Sequence, residues 1–229
     1  MTSQPLAPTR AGAHLKEGPM YLFSRTVTLG GLPRASTSWA AEITTYVNDH
    51  SDKVVTLWSS TFGMPLGTLT WATWVDSLAD MQASFAGLLA DDGYESLLAR
   101  GAEFTNAPGS DMLREVVYGE LGEDVPPIGA VSTMTTATVA NGKYVEGVAW
   151  GAEMAAHVQS LTGNRSFFLR DVFGTFGQVT WIAGAADAAA TDAAMAVVNG
   201  DSEYLKRLGD IGDLFIPGSG RQAMSTRIA

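Results

Sequence analysis

The sequence predicts an α+β fold made of two tandem copies of one β-α-β-β-α-β unit. Three observations predict it. An internal repeat is anchored on tryptophan and glycine, strand-like and helix-like patterns alternate in the same order in each copy, and a proline-bearing stretch separates the copies. Trp39-Ala-Ala-Glu42 recurs as Trp150-Gly-Ala-Glu153, at an offset of 111 residues. Phe62-Gly63, Gly67 and Thr70-Trp71 recur as Phe173-Gly174, Gly177 and Thr180-Trp181, where the offset falls to 110, as if one hairpin residue were deleted. Tyr94, Leu98 and Pro108-Gly-Ser110 return in the same order as Tyr204, Leu208 and Pro217-Gly-Ser219.

Each element follows from its own pattern. Residues 24–29 and 134–139 alternate Thr and Val at period two, which favours a strand. An amphipathic helix comes next. Trp39, Ile43, Tyr46, Val47 and His50 share one face in the first copy, and Trp150, Met154, His157, Val158 and Leu161 share it in the second. Residues 54–62 with 67–75, and 166–173 with 177–183, are β-rich runs split by a glycine-bearing turn, the pattern of a hairpin. A second helix is expected from near Ser77 or Ala186, and a shorter helical piece over 94–103 or 204–213. The last run, 112–118 or 222–228, has strand character. This order is the split βαβ of the ferredoxin-like fold. Its antiparallel sheet carries both helices on one face, so the other face needs a partner. Two copies in one chain supply it, sheet to sheet. The expected division is a flexible arm over 1–20, repeat one over 21–120, a stiff linker over 121–128 around Pro126-Pro127, and repeat two over 129–229.

This layout resembles the dimeric α/β-barrel superfamily, in particular its antibiotic-biosynthesis-monooxygenase-like and NIPSNAP-like members, with the dimer fused into one chain over about residues 20–229. The resemblance implies a small-molecule enzyme of secondary metabolism. It would be a cofactor-independent oxygenase or cyclase acting on a hydrophobic aromatic or polyketide-like substrate in a cavity between sheet and helices. A non-catalytic NIPSNAP-like ligand-binding or assembly protein is the alternative. The fused chain could pair further as a homodimer.

The remaining composition narrows the partners. A formal net charge of −10 repels phosphate backbones, so nucleic acid and anionic membrane are not expected. There is no cysteine, which removes thiolate chemistry and Cys-based zinc sites. His14, His50 and His157 lack metal-ligand spacing, so no metal is expected; the resemblance implies that no cofactor is needed, with haem on His157 the minor alternative. The first residues carry no apolar stretch of secretory type, and no run of apolar residues is long enough to span a bilayer. A cytoplasmic protein is therefore expected.

Candidate site residues come from the differences between the copies. Glu153 and His157 stand four apart on the first helix of repeat two, a carboxylate beside an imidazole, suited to proton abstraction. Arg170 and Asp171 interrupt an apolar strand, and adjacent strand residues face opposite sides, so at least one charge is turned toward a covered face. Repeat one has Tyr46, Ser59 and Ser60 at the places of His157, Arg170 and Asp171. Repeat two is therefore expected to hold the catalytic site: His157, Glu153, Arg170 and Asp171. Trp71 and Trp181 repeat and suit core packing. Trp58 and Trp74 do not repeat, and with Tyr46 they are the candidate substrate-binding residues.

Overall fold

The computed structural model describes residues 20–30, 33–105, 108–122 and 124–229. The expected arm therefore lies outside the described residues apart from Met20. Repeat one runs β1 (Tyr21–Thr28), α1 (Pro33–His50), β2 (Thr56–Phe62), β3 (Thr68–Val75), α2 (Leu78–Leu89), α3 (Asp92–Gly101) and β4 (Ser110–Tyr118). Repeat two follows the same order: β5 (Val131–Thr138), α4 (Tyr144–Thr162), β6 (Ser166–Phe173), β7 (Gln178–Ala185), α5 (Ala188–Gly200), α6 (Ser202–Gly209) and β8 (Arg221–Arg227). The eight strands close into one antiparallel barrel, β1-β3-β2-β8-β5-β7-β6-β4. Among the described residues, no helix is long and apolar enough to cross a membrane.

The open sheet faces meet across the barrel interior, and the sheets also bond at their edges. Two seams join the repeats. In one, β2 pairs with β8, with Trp58 opposite Arg227 and Ser59 opposite Thr226. In the other, β4 pairs with β6, with Arg114 opposite Asp171 and Glu115 opposite Arg170. Closing both seams leaves no barrel strand without two neighbours among the described residues, which reduces the aggregation hazard of a free edge.

Strand alternation gives the barrel two surfaces. Outward-facing Leu57, Leu69 and Trp71 pack against Trp39, Ile43 and Val47 of α1. Leu22, Phe167 and Leu169 pack with Ala72, Trp74 and Ile182 in a second cluster inside the barrel. The repeat is visible in the packing. Trp39 and Trp71 meet edge to face at 6.0 Å and 75°, and Trp150 and Trp181 at 6.1 Å and 86°. Phe104 closes the first trio and Phe215 the second. The isolated bridges Leu29–Thr105 and Val139–Phe215 match as well.

Caps explain where the short helices begin. α3 and α6 start two residues before the patterning expects, because Asp91 and Asp201 accept hydrogen bonds from the backbone N–H of Tyr94 and Tyr204. Gly63 adopts φ +82°, and a side chain there would collide with the backbone of Gln222 and Ala223. Glycine at that position thus lets the β2–β3 hairpin lie on β8.

Candidate functional site

A cavity of about 410 Å³ lies between the outer face of the repeat-one sheet and its three helices. β1 contributes Phe23 and Arg25, α1 contributes Trp39 and Ile43, α2 contributes Phe85, and α3 contributes Tyr94. One wall rests on a small residue, since a methyl group on Gly101 would collide with the Trp39 ring. Phe23 and Phe85 meet edge to face at 5.3 Å, and the Arg25 guanidinium sits 5.4 Å from the centre of the Phe85 ring.

Polar groups gather at one side of this apolar space. Arg25 donates from Nε and Nη2 to the two carboxylate oxygens of Asp111, at 2.8 and 2.7 Å, in a bidentate fork. That hydrogen bond raises the Arg25 pKa, so the guanidinium stays charged. Burial pushes the Tyr94 phenol above its ordinary value and keeps it a hydrogen-bond donor at neutral pH. Lys53 also lines the space and pairs with Asp80 at 2.7 Å, and this bond raises its pKa.

The residues expected to form a site in repeat two do not come together. His157 Nε2 lies 2.8 Å from Asp201 Oδ1, so its ring clips α4 to the N-cap of α6. Its counterpart Tyr46 does the same in repeat one, donating its hydroxyl to Asp91 Oδ1 at 2.6 Å. Tyr46 therefore faces a helix cap, and the two cavities described here are lined by other residues. Glu153 is exposed and pairs with Arg207 of α6 at 3.4 Å, much as Glu42 pairs with Arg100 of α3 at 2.8 Å. Arg170 donates from Nε and Nη2 to Glu115 Oε2 across the β4–β6 seam, at 3.0 and 2.7 Å. Asp171, on the opposite face of β6, is buried and accepts from Arg114 Nε at 3.0 Å and Gln178 Nε2 at 2.8 Å. The four residues are thus divided among a helix clip, a helix–helix ion pair and the two faces of a seam. The expectation of one catalytic cluster around an apolar space is corrected accordingly. Trp58 and Trp74 line a cavity, but it is the barrel lumen and not the space between sheet and helices.

Arg25, Phe85 and Tyr94 were not among the site residues expected from the sequence. One signal was available: Arg25 is the single charge in an otherwise uncharged strand, Tyr21–Thr28. Phe85 and Tyr94 carried no mark that separates a cavity wall from a core.

The closed ring of eight strands and the tandem β-α-β-β-α-β order make this protein a dimeric α/β barrel fused into one chain. Neither a protein-family model nor a curated protein sequence matches it. Solved structures do. A candidate monooxygenase from Fusobacterium nucleatum aligns with a TM-score of 0.71 at 9% identity, over 93% of this chain and 94% of that one. An anthrone oxidase-like protein aligns at 0.62 and 13% identity, over 93% of each chain. A candidate monooxygenase from Lactobacillus acidophilus aligns at 0.62 and 10% identity, over 92% of this chain and 94% of that one. At these identities the likeness is one of fold, and it spans both repeats.

Proposed function

We propose that this chain is a cofactor-independent oxygenase of secondary metabolism that acts on a hydrophobic, aromatic, polyketide-like substrate in the repeat-one cavity. One observation carries this reading: an apolar space walled by Phe23, Trp39 and Phe85 converges on Arg25 and Tyr94, two donors able to hold a developing oxyanion. The substrate class follows from the walls. A flat ring system fits between the aromatic faces, and a phenol or ketone oxygen reaches Arg25. A methylene group beside such a carbonyl loses a proton to give an enolate, whose oxygen Arg25 stabilises. The proton leaves by way of Asp111, which lies behind Arg25 outside the cavity lining and is half exposed, so it passes the proton to solvent. The enolate carbon then bonds to dioxygen, the peroxide takes up a proton to become a hydroperoxide, and loss of the remaining C–H proton with cleavage of the O–O bond releases water and leaves the ketone. The balance is a CH₂ group plus O₂ giving a C=O group plus H₂O. The fold's monooxygenase-like neighbours agree with this reading without carrying it.

A non-catalytic, ligand-binding role is the second reading, favoured by a separate observation. Arg25 and Lys53 already hold carboxylate partners, and the cavity lining contains no imidazole. The test is oxygen uptake with 1,8-dihydroxyanthrone as substrate, followed together with the absorbance of the quinone product. Chelator-treated protein should consume one O₂ per quinone formed, and Arg25→Gln should slow the rate about 10²-fold, as loss of an oxyanion donor does. Saturable binding of the anthrone without oxygen uptake above the uncatalysed rate would select the non-catalytic reading.

A further inference from the structure

The barrel lumen holds a second cavity of about 560 Å³, walled on the side of the sheets away from the helices. A volume in the range of about 300–1,000 Å³ encloses a drug-sized molecule. The space exists because many inward positions carry small side chains. Ser24, Thr26, Ser132 and Ser225 stand where larger residues would fill the interior. The bulky inward residues Trp58, Trp74 and Phe167 form walls, with Trp74 and Phe167 tilted against each other at 5.1 Å.

The polar chemistry of this lumen is one-sided. Arg114 is buried in the wall, giving Nε to Asp171 at 3.0 Å and Nη1 to Ser24 Oγ at 2.9 Å. No hydrogen bond from Arg114 Nη2 joins another described residue. Ser24 Oγ accepts from Arg114, so its own hydrogen remains available. The Ser60 hydroxyl, on a lumen-lining residue, is buried with no hydrogen-bond partner. The unspent groups include an N–H and two O–H donors. Asp171 already cancels the Arg114 charge, so at this end of the lumen a charged ligand would lose its hydration with no counterion to replace it; the other charged lining residues, Arg165 and Asp124, lie toward the linker.

We propose that the barrel lumen is a second binding site, for an uncharged aromatic ketone whose ring system packs on Trp58, Trp74 and Phe167. Its carbonyl accepts hydrogen bonds from Arg114 and Ser24. The inter-repeat linker borders this site through Leu121, Val125 and Pro126. The site is distinct from the repeat-one cavity and stands whether or not that cavity oxidises anything.

The test uses the full chain and the neutral naphthalene ketone 6-propionyl-2-(dimethylamino)naphthalene, whose emission reports hydrogen bonding to its carbonyl. Energy transfer from tryptophan should saturate at one molecule per chain in Ser84→Phe, whose repeat-one cavity is filled. Ser225→Phe, which fills the lumen, should weaken binding about tenfold or more, while Ser84→Phe, which fills the repeat-one cavity, should leave it unchanged. Ser24→Ala, a change too small to disturb folding, should weaken binding about three- to tenfold and shift the bound emission to the blue. No saturable binding, or binding lost in Ser84→Phe and unaffected by Ser24→Ala, would overturn the proposal.

Discussion

His157 and Tyr46 occupy equivalent positions on equivalent helices, and each binds the aspartate that caps the next short helix. An imidazole and a phenol thus do the same mechanical work, and the chemical difference between the repeats at this position carries no sign of catalysis. The His157 bond is the leading cause holding the Asp201 carboxyl below the usual carboxylate range. A carboxyl depressed on folding contributes stability that is present above its unfolded pKa and lost as pH falls through the folded value. His157→Ala should therefore lower the melting temperature by a few degrees at pH 7, with the difference from the parent shrinking as the pH drops below about 4. An unchanged melting temperature at pH 7 would show that the clip bears no load. The partner of His157 was not legible in the sequence, because Asp201 lies 44 residues away and helix spacing reveals only neighbours on the same helix. The charges of Arg170 and Asp171 were half legible. Alternation separated them onto opposite faces, but their partners Glu115 and Arg114 came from strand register. Burial pushes Asp171 above its ordinary range and Arg114 below its own, and each offsets part of the other's desolvation.

At the scale of elements the sequence was far more informative, because each helix and strand is decided by local patterning that repeats twice. The Trp-x-x-Glu segment shows why. In α1, Trp39 is buried, donates its indole N–H to the Leu97 carbonyl at 2.8 Å, and sits against Trp71 and Phe104. Its glutamate ties the same helix to α3 from outside. Trp39→Ala should destabilise the protein by about 3–5 kcal/mol in urea unfolding, the usual range for emptying a buried aromatic site. Trp150→Ala should lose less, since Trp150 is only half-buried. Equal losses would mean that the two helices are seated alike despite their different exposure. What patterning could not give is the empty space beside Trp39. A cavity is set by how three helices lean on a sheet, and close approaches such as the Trp39 ring on Gly101 arise only in three dimensions.

For the whole molecule, both seams are shared between the repeats, so neither repeat has a closed edge by itself. Residues 20–120 expressed alone should self-associate, which light scattering would detect as a dimer or larger species. A stable, monodisperse monomer would contradict the need for a partner sheet. The seams also impose an order on biosynthesis. β2 leaves the ribosome early, yet its outer neighbour β8 is the last of the eight barrel strands to be made, and the carbonyl of Ala229 accepts from the backbone N–H of Leu57 at 2.8 Å. Until residues 221–229 emerge, the ring cannot close, and the edge of β2 stands open through the synthesis of everything between. Contacts so distant along the chain slow folding, and the waiting edge is where a nascent chain is most exposed to pairing with another copy of itself.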